Sequence, residues 1–205
     1  MIDFTSLIYR IIALLSAIIP HEIAHGYAAY LLGDDTAKSE GRLSLNPLKH
    51  LDPIGLLSMI VLRVGWAKAV PINPNKFNKN RKASTIIVSL AGVFVNFIMA
   101  ILFGILFVIG YVKGWNITSL FLEILWYNVM LGVFNLVPLP PLDGSKVLAS
   151  LLPEKIEYYF YKYERYFYIV LIVLLFSGVV NKVISPIIFT IIDKIIFLGA
   201  KIYGL

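Results

Sequence analysis

The sequence predicts an all-α polytopic membrane protein, a bundle of about four to six transmembrane helices with a re-entrant or hairpin element after the first. Three observations carry this reading. Of 205 residues, 59% are hydrophobic and 15% charged, against about 25% charged in ordinary soluble domains. The stretch from Ala83 to Val112 holds no charged residue and exceeds the roughly 20 apolar residues that cross a hydrocarbon core. The basic residues fall between apolar runs, so the net charge of +6 reads as a positive-inside bias, and no nucleic-acid partner is expected. The chain has no cysteine, which excludes disulfides and thiolate metal sites; any metal must be held by nitrogen and oxygen.

The first span is predicted from about Phe4 to Leu32, because the apolar pattern runs through two histidines and stops at Gly33-Asp34-Asp35. It is expected to be retained, since no small-residue cleavage site follows its apolar run. A polar connector leads to Pro53. The apolar stretch from Ile54 to about Leu62 is too short to cross alone, and Gly55, Gly65 and Pro71 suit a re-entrant element or hairpin as well as a helix. No acidic residue lies between Asp52 and Glu123, whereas Arg63, Lys68, Lys76, Lys79, Arg81 and Lys82 crowd this segment, which places it in the cytosol. A span from about Ser84 to Tyr111 then leads outward, turns at Lys113-Gly114, and returns from about Ser119 to Leu136. Asp143 is thereby brought to the side where the first helix ends.

The run from Pro138 to Pro141 breaks that returning helix, and broken helices at membrane depth are tolerated where they line a protein cavity. A tyrosine-rich segment, Glu154 to Tyr168, reads as an interfacial helix. A further span runs to about Val180, and the tail beyond Pro186 is either a short span or an amphipathic anchor. Neither a repeat nor a low-complexity linker interrupts the chain. Residues 1–205 therefore read as a single domain, with a catalytic core at about 4–153 and C-terminal helices over 154–205.

The chemistry centres on His21-Glu22-Ile23-Ala24-His25. Histidines four apart on a helix project from one face, one turn from each other, so two imidazole nitrogens can reach one ion. Zinc accepts such ligands and in catalytic sites takes three from the protein, while a neighbouring glutamate such as Glu22 can serve as general base. A lone histidine on an apolar helix is more often a hydrogen-bonded core residue. Two at ligand spacing around a carboxylate are not, because ionisable residues in a span usually mark a functional cavity. The third ligand must come from elsewhere. Asp143, just after the broken helix, is the better candidate than His50, although an aspartate there can also cap the helix that Asp143-Gly144-Ser145-Lys146 would open.

These residues resemble the site-2 protease family of intramembrane zinc metalloproteases, in its compact form without PDZ or CBS domains. The resemblance is carried by the His21–His25 motif, by Asn135-Leu136-Val137-Pro138-Leu139-Pro140-Pro141-Leu142-Asp143-Gly144, by Gly92-Val93-Phe94-Val95-Asn96, and by the connector from Gly41 to Pro53. It implies Zn²⁺ held by His21, His25 and Asp143, with Glu22 as catalytic base. It further implies a substrate-handling or oxyanion-stabilising role for Asn96, whose alternative is an interhelical hydrogen bond. Val93 follows Gly92 where many relatives have proline. His50 is read as fastening the connector in preference to donating to a transition state.

The expected activity is hydrolysis of peptide bonds in or near transmembrane segments of membrane proteins, at sites where the substrate helix unwinds easily, in a prokaryotic cell membrane with the site opening to the cytosol. Two other classes compete: a zinc-binding scaffold without activity, which would have no use for Glu22, and a metal transporter, which would commonly show paired repeats.

Overall fold

A computed structural model describes residues 4–50, 52 and 68–204. The expected re-entrant element at 54–62 lies outside these residues. Among the described residues the chain is helical, without strands: α1 (Phe4–Leu31), α2 (Thr36–Ser39), α3 (Arg81–Lys113), α4 (Thr118–Asn135), α5 (Asp143–Leu151), α6 (Glu154–Lys162), α7 (Glu164–Phe176) and α8 (Val179–Tyr203).

The three longest helices follow from their apolar runs. Among the described residues, Phe4–Leu31, Arg81–Lys113 and Lys182–Tyr203 are long and apolar enough to cross a membrane. The 18 residues of α4 reach about 27 Å, slightly less than a hydrocarbon core of about 30 Å. Phe94 and Phe197 are each at least 66% exposed on these helices, as suits side chains that face lipid. This is a helical integral membrane protein.

Local chemistry sets the ends. Asn80 opens α3 by accepting a hydrogen bond from the Ala83 N–H, and Gly114 closes it. At the end of α1 the buried Asp34 accepts from the Thr36 and Asn73 N–H groups at 3.0 and 2.6 Å, tying the helix to the segment that precedes α3. Beside it, the ammonium of Lys76 lies 2.6 Å from Asp35 and holds that carboxyl below the usual carboxylate range.

At the C-terminus the tail beyond Pro186, read as a short span or an amphipathic anchor, belongs to a longer helix, since α8 starts at Val179 and runs through that proline. The proline leaves only the Lys182 carbonyl without its helical partner, and the packing of α8 against α3 and α4 holds the helix through it. The predicted interfacial helix is split at Tyr163 into α6 and α7.

The core lies where α3, α4 and α8 meet: Ala100, Leu125, Val129, Ile188, Ile192 and Ile195 form one buried cluster. Small residues permit close approach there, as between membrane helices generally; Ile195 packs directly onto Gly104. Helix α1 runs antiparallel to α3, with Ala17 and His21 beside Asn96 and His25 beside Val88, and α5 packs against α3 near its basic end. That end is anchored by the buried Glu157 of α6, 2.8 Å from Arg81 and 3.1 Å from Lys82.

Candidate metal centre

The two histidines of α1 are fixed by α3, and the chemistry of their partners decides which ring nitrogen carries the proton. His25 Nδ1 lies 2.7 Å from the Val88 carbonyl. A carbonyl only accepts, so this nitrogen bears hydrogen. His21 Nδ1 lies 2.7 Å from Asn96 Oδ1. The Asn96 amide is itself oriented by its surroundings: its Nδ2 is 3.0 Å from the Ala17 carbonyl and 3.0 Å from Asn128 Oδ1, both acceptors. Its oxygen therefore faces His21, whose Nδ1 must donate.

Both Nε2 atoms are left with lone pairs, and they point at each other across 3.0 Å. Asp143 Oδ2 sits 3.2 Å from His21 Nε2 and 3.0 Å from His25 Nε2. The three side chains are buried, and Asp143 Oδ2 has no hydrogen-bond partner among the described residues. With both imidazoles neutral, three electron-pair donors converge here, an arrangement that a metal cation stabilises. Ligands bound tetrahedrally at 2.0–2.1 Å stand about 3.3–3.4 Å apart, close to the separations here. Two imidazoles and a carboxylate suit zinc.

The approach of these elements depends on two missing side chains. A Cβ on Gly92 would lie 2.5 Å from His25 Nε2 and 2.7 Å from His21 Cε1, so only glycine lets α3 pass beneath both rings. Val88 and Asn96, one turn before and after it, hold the two rings. A Cβ on Gly144 would meet the Leu136 oxygen at 2.3 Å and the Val137 oxygen at 2.7 Å. Glycine there lets the start of α5 nest on the end of α4, which brings Asp143 in under the histidines. The helix from Asp143 forms as its sequence suggests, but Leu142 stands at its N-cap and Asp143 is its first helical residue. Its other oxygen, Oδ1, accepts from Lys146 Nζ at 3.0 Å.

Glu22 lies outside this triad. Its Oε2 accepts from the Val70 N–H at 2.8 Å, so the carboxylate is held beside the segment whose carbonyls at Lys68 and Ala69 are bound by Arg42. His50 is fully buried in the connector, 2.6 Å from the Ser44 carbonyl. Among the described residues, the potential ligand group holds His21, His25 and Asp143 and not His50. A cleft of about 430 Å³ reaches the site, lined by His25, the apolar Val70, Phe77 and Val88, and the charged Arg81, Lys146 and Glu164. A more open hollow of about 500 Å³ beside Pro141 and Arg165 contains none of the candidate residues.

Comparison with known proteins identifies the family. The profile described as "Peptidase family M50" matches residues 107–179, the stretch that contains Asp143. The chain is 38% identical over 203 residues to a Bacillus subtilis protein named "Putative zinc metalloprotease YwhC", covering 95% of this chain and 92% of that one. The chain belongs to peptidase family M50. This is the site-2 protease family that its motifs resemble. Two further relatives are more distant. "Putative zinc metalloprotease Rip2" of Mycolicibacterium smegmatis is 27% identical over 79% of this chain and 64% of its own. "Zinc metalloprotease MJ0392" of Methanocaldococcus jannaschii is 29% identical over 72% of this chain and 35% of its own. No solved structure matches.

Sequence reading passed over Asn128 and Lys146. Asn128 lies amid the apolar run of α4, and a polar residue within a span is itself a signal. Lys146 had no such mark, because a lysine three residues into a helix is commonplace.

Proposed function

We propose that this M50 peptidase is a zinc metalloendopeptidase that hydrolyses peptide bonds in or near transmembrane segments of other membrane proteins. The observation that carries it is the convergence of His21 Nε2, His25 Nε2 and Asp143 Oδ2, each 3.0–3.2 Å from the other two in a buried pocket. These three residues would hold the ion, which when bound supplies Lewis acidity toward the scissile carbonyl and water.

The chain's own residues supply the rest. Glu22, adjacent to His21, acts as general base toward water and then returns the proton to the leaving amine. Its hydrogen bond from Val70 keeps the carboxylate in place without neutralising it. The cleft beside His25 has apolar side chains for an unwound segment and charged ones beside which water and products exchange. Gly92 lies 11 residues beyond the start of α3, about 16 Å from its basic end, so the site is within the span and nearer the side that the positive-inside rule assigns to the cytosol. A substrate helix hides its carbonyls in its own hydrogen bonds, so segments with glycine, proline or polar residues are favoured.

The test is cleavage of a reporter span by the purified protein in proteoliposomes, with and without a chelator. Glu22→Gln keeps an acceptor for the Val70 N–H, so it should bind zinc as the parent does while the cleavage rate falls by about 10²–10⁴-fold. Undiminished cleavage by that variant would remove Glu22 as the base. Zinc binding with no cleavage by the parent protein would favour the scaffold reading.

A further inference from the structure

We propose that Asn128 is a positioning residue for the metal centre: through Asn96 it fixes the tautomer and ring angle of His21, so that Nε2 presents its lone pair to the ion. The argument is one of direction. Asn128 is fully buried in α4. Its Nδ2 donates to the Ile124 carbonyl at 2.9 Å, and because a carbonyl cannot donate, the Asn128 amide has only one orientation. Its oxygen then faces Asn96 and can only accept. Asn96 Nδ2 supplies one hydrogen to Asn128 and one to Ala17, each at 3.0 Å, and so presents its oxygen to His21 Nδ1 at 2.7 Å.

Each group in this series is satisfied and each orientation is dictated by the one before, from a main-chain carbonyl of α4 to a candidate ligand on α1. Asn96 has both amide hydrogens engaged; a donor to a substrate carbonyl would have to leave Ala17 or Asn128. The same geometry therefore assigns Asn96 to holding His21 and not to touching substrate. His25 has a different device, a direct bond to the Val88 carbonyl, and serves as the internal control. Partners of this kind around metal-bound histidines commonly alter affinity by about 10–100-fold.

The consequence for zinc rests on the metalloprotease reading, but the relay itself can be read apart from it. The chain has three histidines, so the Nδ1–H protons can be resolved by nitrogen-edited NMR of histidine-labelled protein in micelles. Asn128→Leu removes the acceptor at similar volume. Asn128→Asp, protonated in this apolar setting, restores both an acceptor for Asn96 and a donor to Ile124. The leucine variant should show faster exchange at His21 Nδ1–H with His25 unchanged, and about tenfold weaker zinc in chelator competition; the aspartate variant should stay within threefold of the parent. The proposal is overturned if the leucine variant keeps the parent's exchange and affinity, or if both variants lose them equally. A parent protein that binds no zinc would remove the metalloprotease reading, and the exchange measurement would still decide the relay.

Discussion

Replacing Gly92 with alanine puts a single methyl group where two imidazoles already are. The added carbon would lie 2.5 Å from His25 Nε2 and 2.7 Å from His21 Cε1 and Nδ1, whereas ordinary carbon contacts begin at about 3.5 Å. Relief requires a shift of about 0.8–1 Å, and neither ring is free to take it alone. His25 is tied to Val88 and His21 to Asn96, both on the same helix as the intruding methyl. The displacement must separate α1 from α3 or break one of these bonds. Overpacking of this kind costs about 1–3 kcal/mol, and the spread of the ligand atoms should weaken zinc at least as much as loss of a supporting bond, about 10–100-fold. Melting temperature and chelator competition on the purified variant separate the two effects. An alanine variant with the parent's zinc affinity would refute the packing argument, because the methyl group could then be accommodated without moving the rings.

Two other substitutions probe the surroundings. Lys146→Met removes the only charge bonded to Asp143 Oδ1 among the described residues; the carboxylate should swing more freely, and zinc affinity should fall by about tenfold with the melting temperature little changed. Glu157→Gln leaves Arg81 and Lys82 without their buried counter-charge; stability should drop by about 1–3 kcal/mol, read as a lower midpoint in thermal unfolding, while zinc affinity stays within a factor of three.

How much of this was legible in the sequence varies with the kind of signal. The spans of α1, α3 and α4 were readable because long apolar runs bounded by glycine, asparagine and charges have few alternatives. His21 and His25 were legible as a pair because helical spacing alone fixes which side chains share a face. Asp143 could be proposed from its place after a proline-broken helix, but its arrival under the histidines depends on Gly144 nesting against the backbone of Leu136, a contact that no local pattern encodes. Asn128 is of that same class. Its role appears only when three helices are side by side, since its partner is 32 residues away and that partner's partner a further 75. The passage of α8 through Pro186 shows the converse limit: propensity marks a break, and packing on α3 and α4 overrides it.

The centre itself is most directly tested by X-ray absorption at the zinc edge of the purified chain, paired with metal analysis. One zinc per chain with two imidazole nitrogens and a carboxylate oxygen at about 2.0–2.2 Å, lost when Asp143 is changed to alanine, is the predicted result. A chain that takes up no zinc, or takes it up equally well without Asp143, would contradict it.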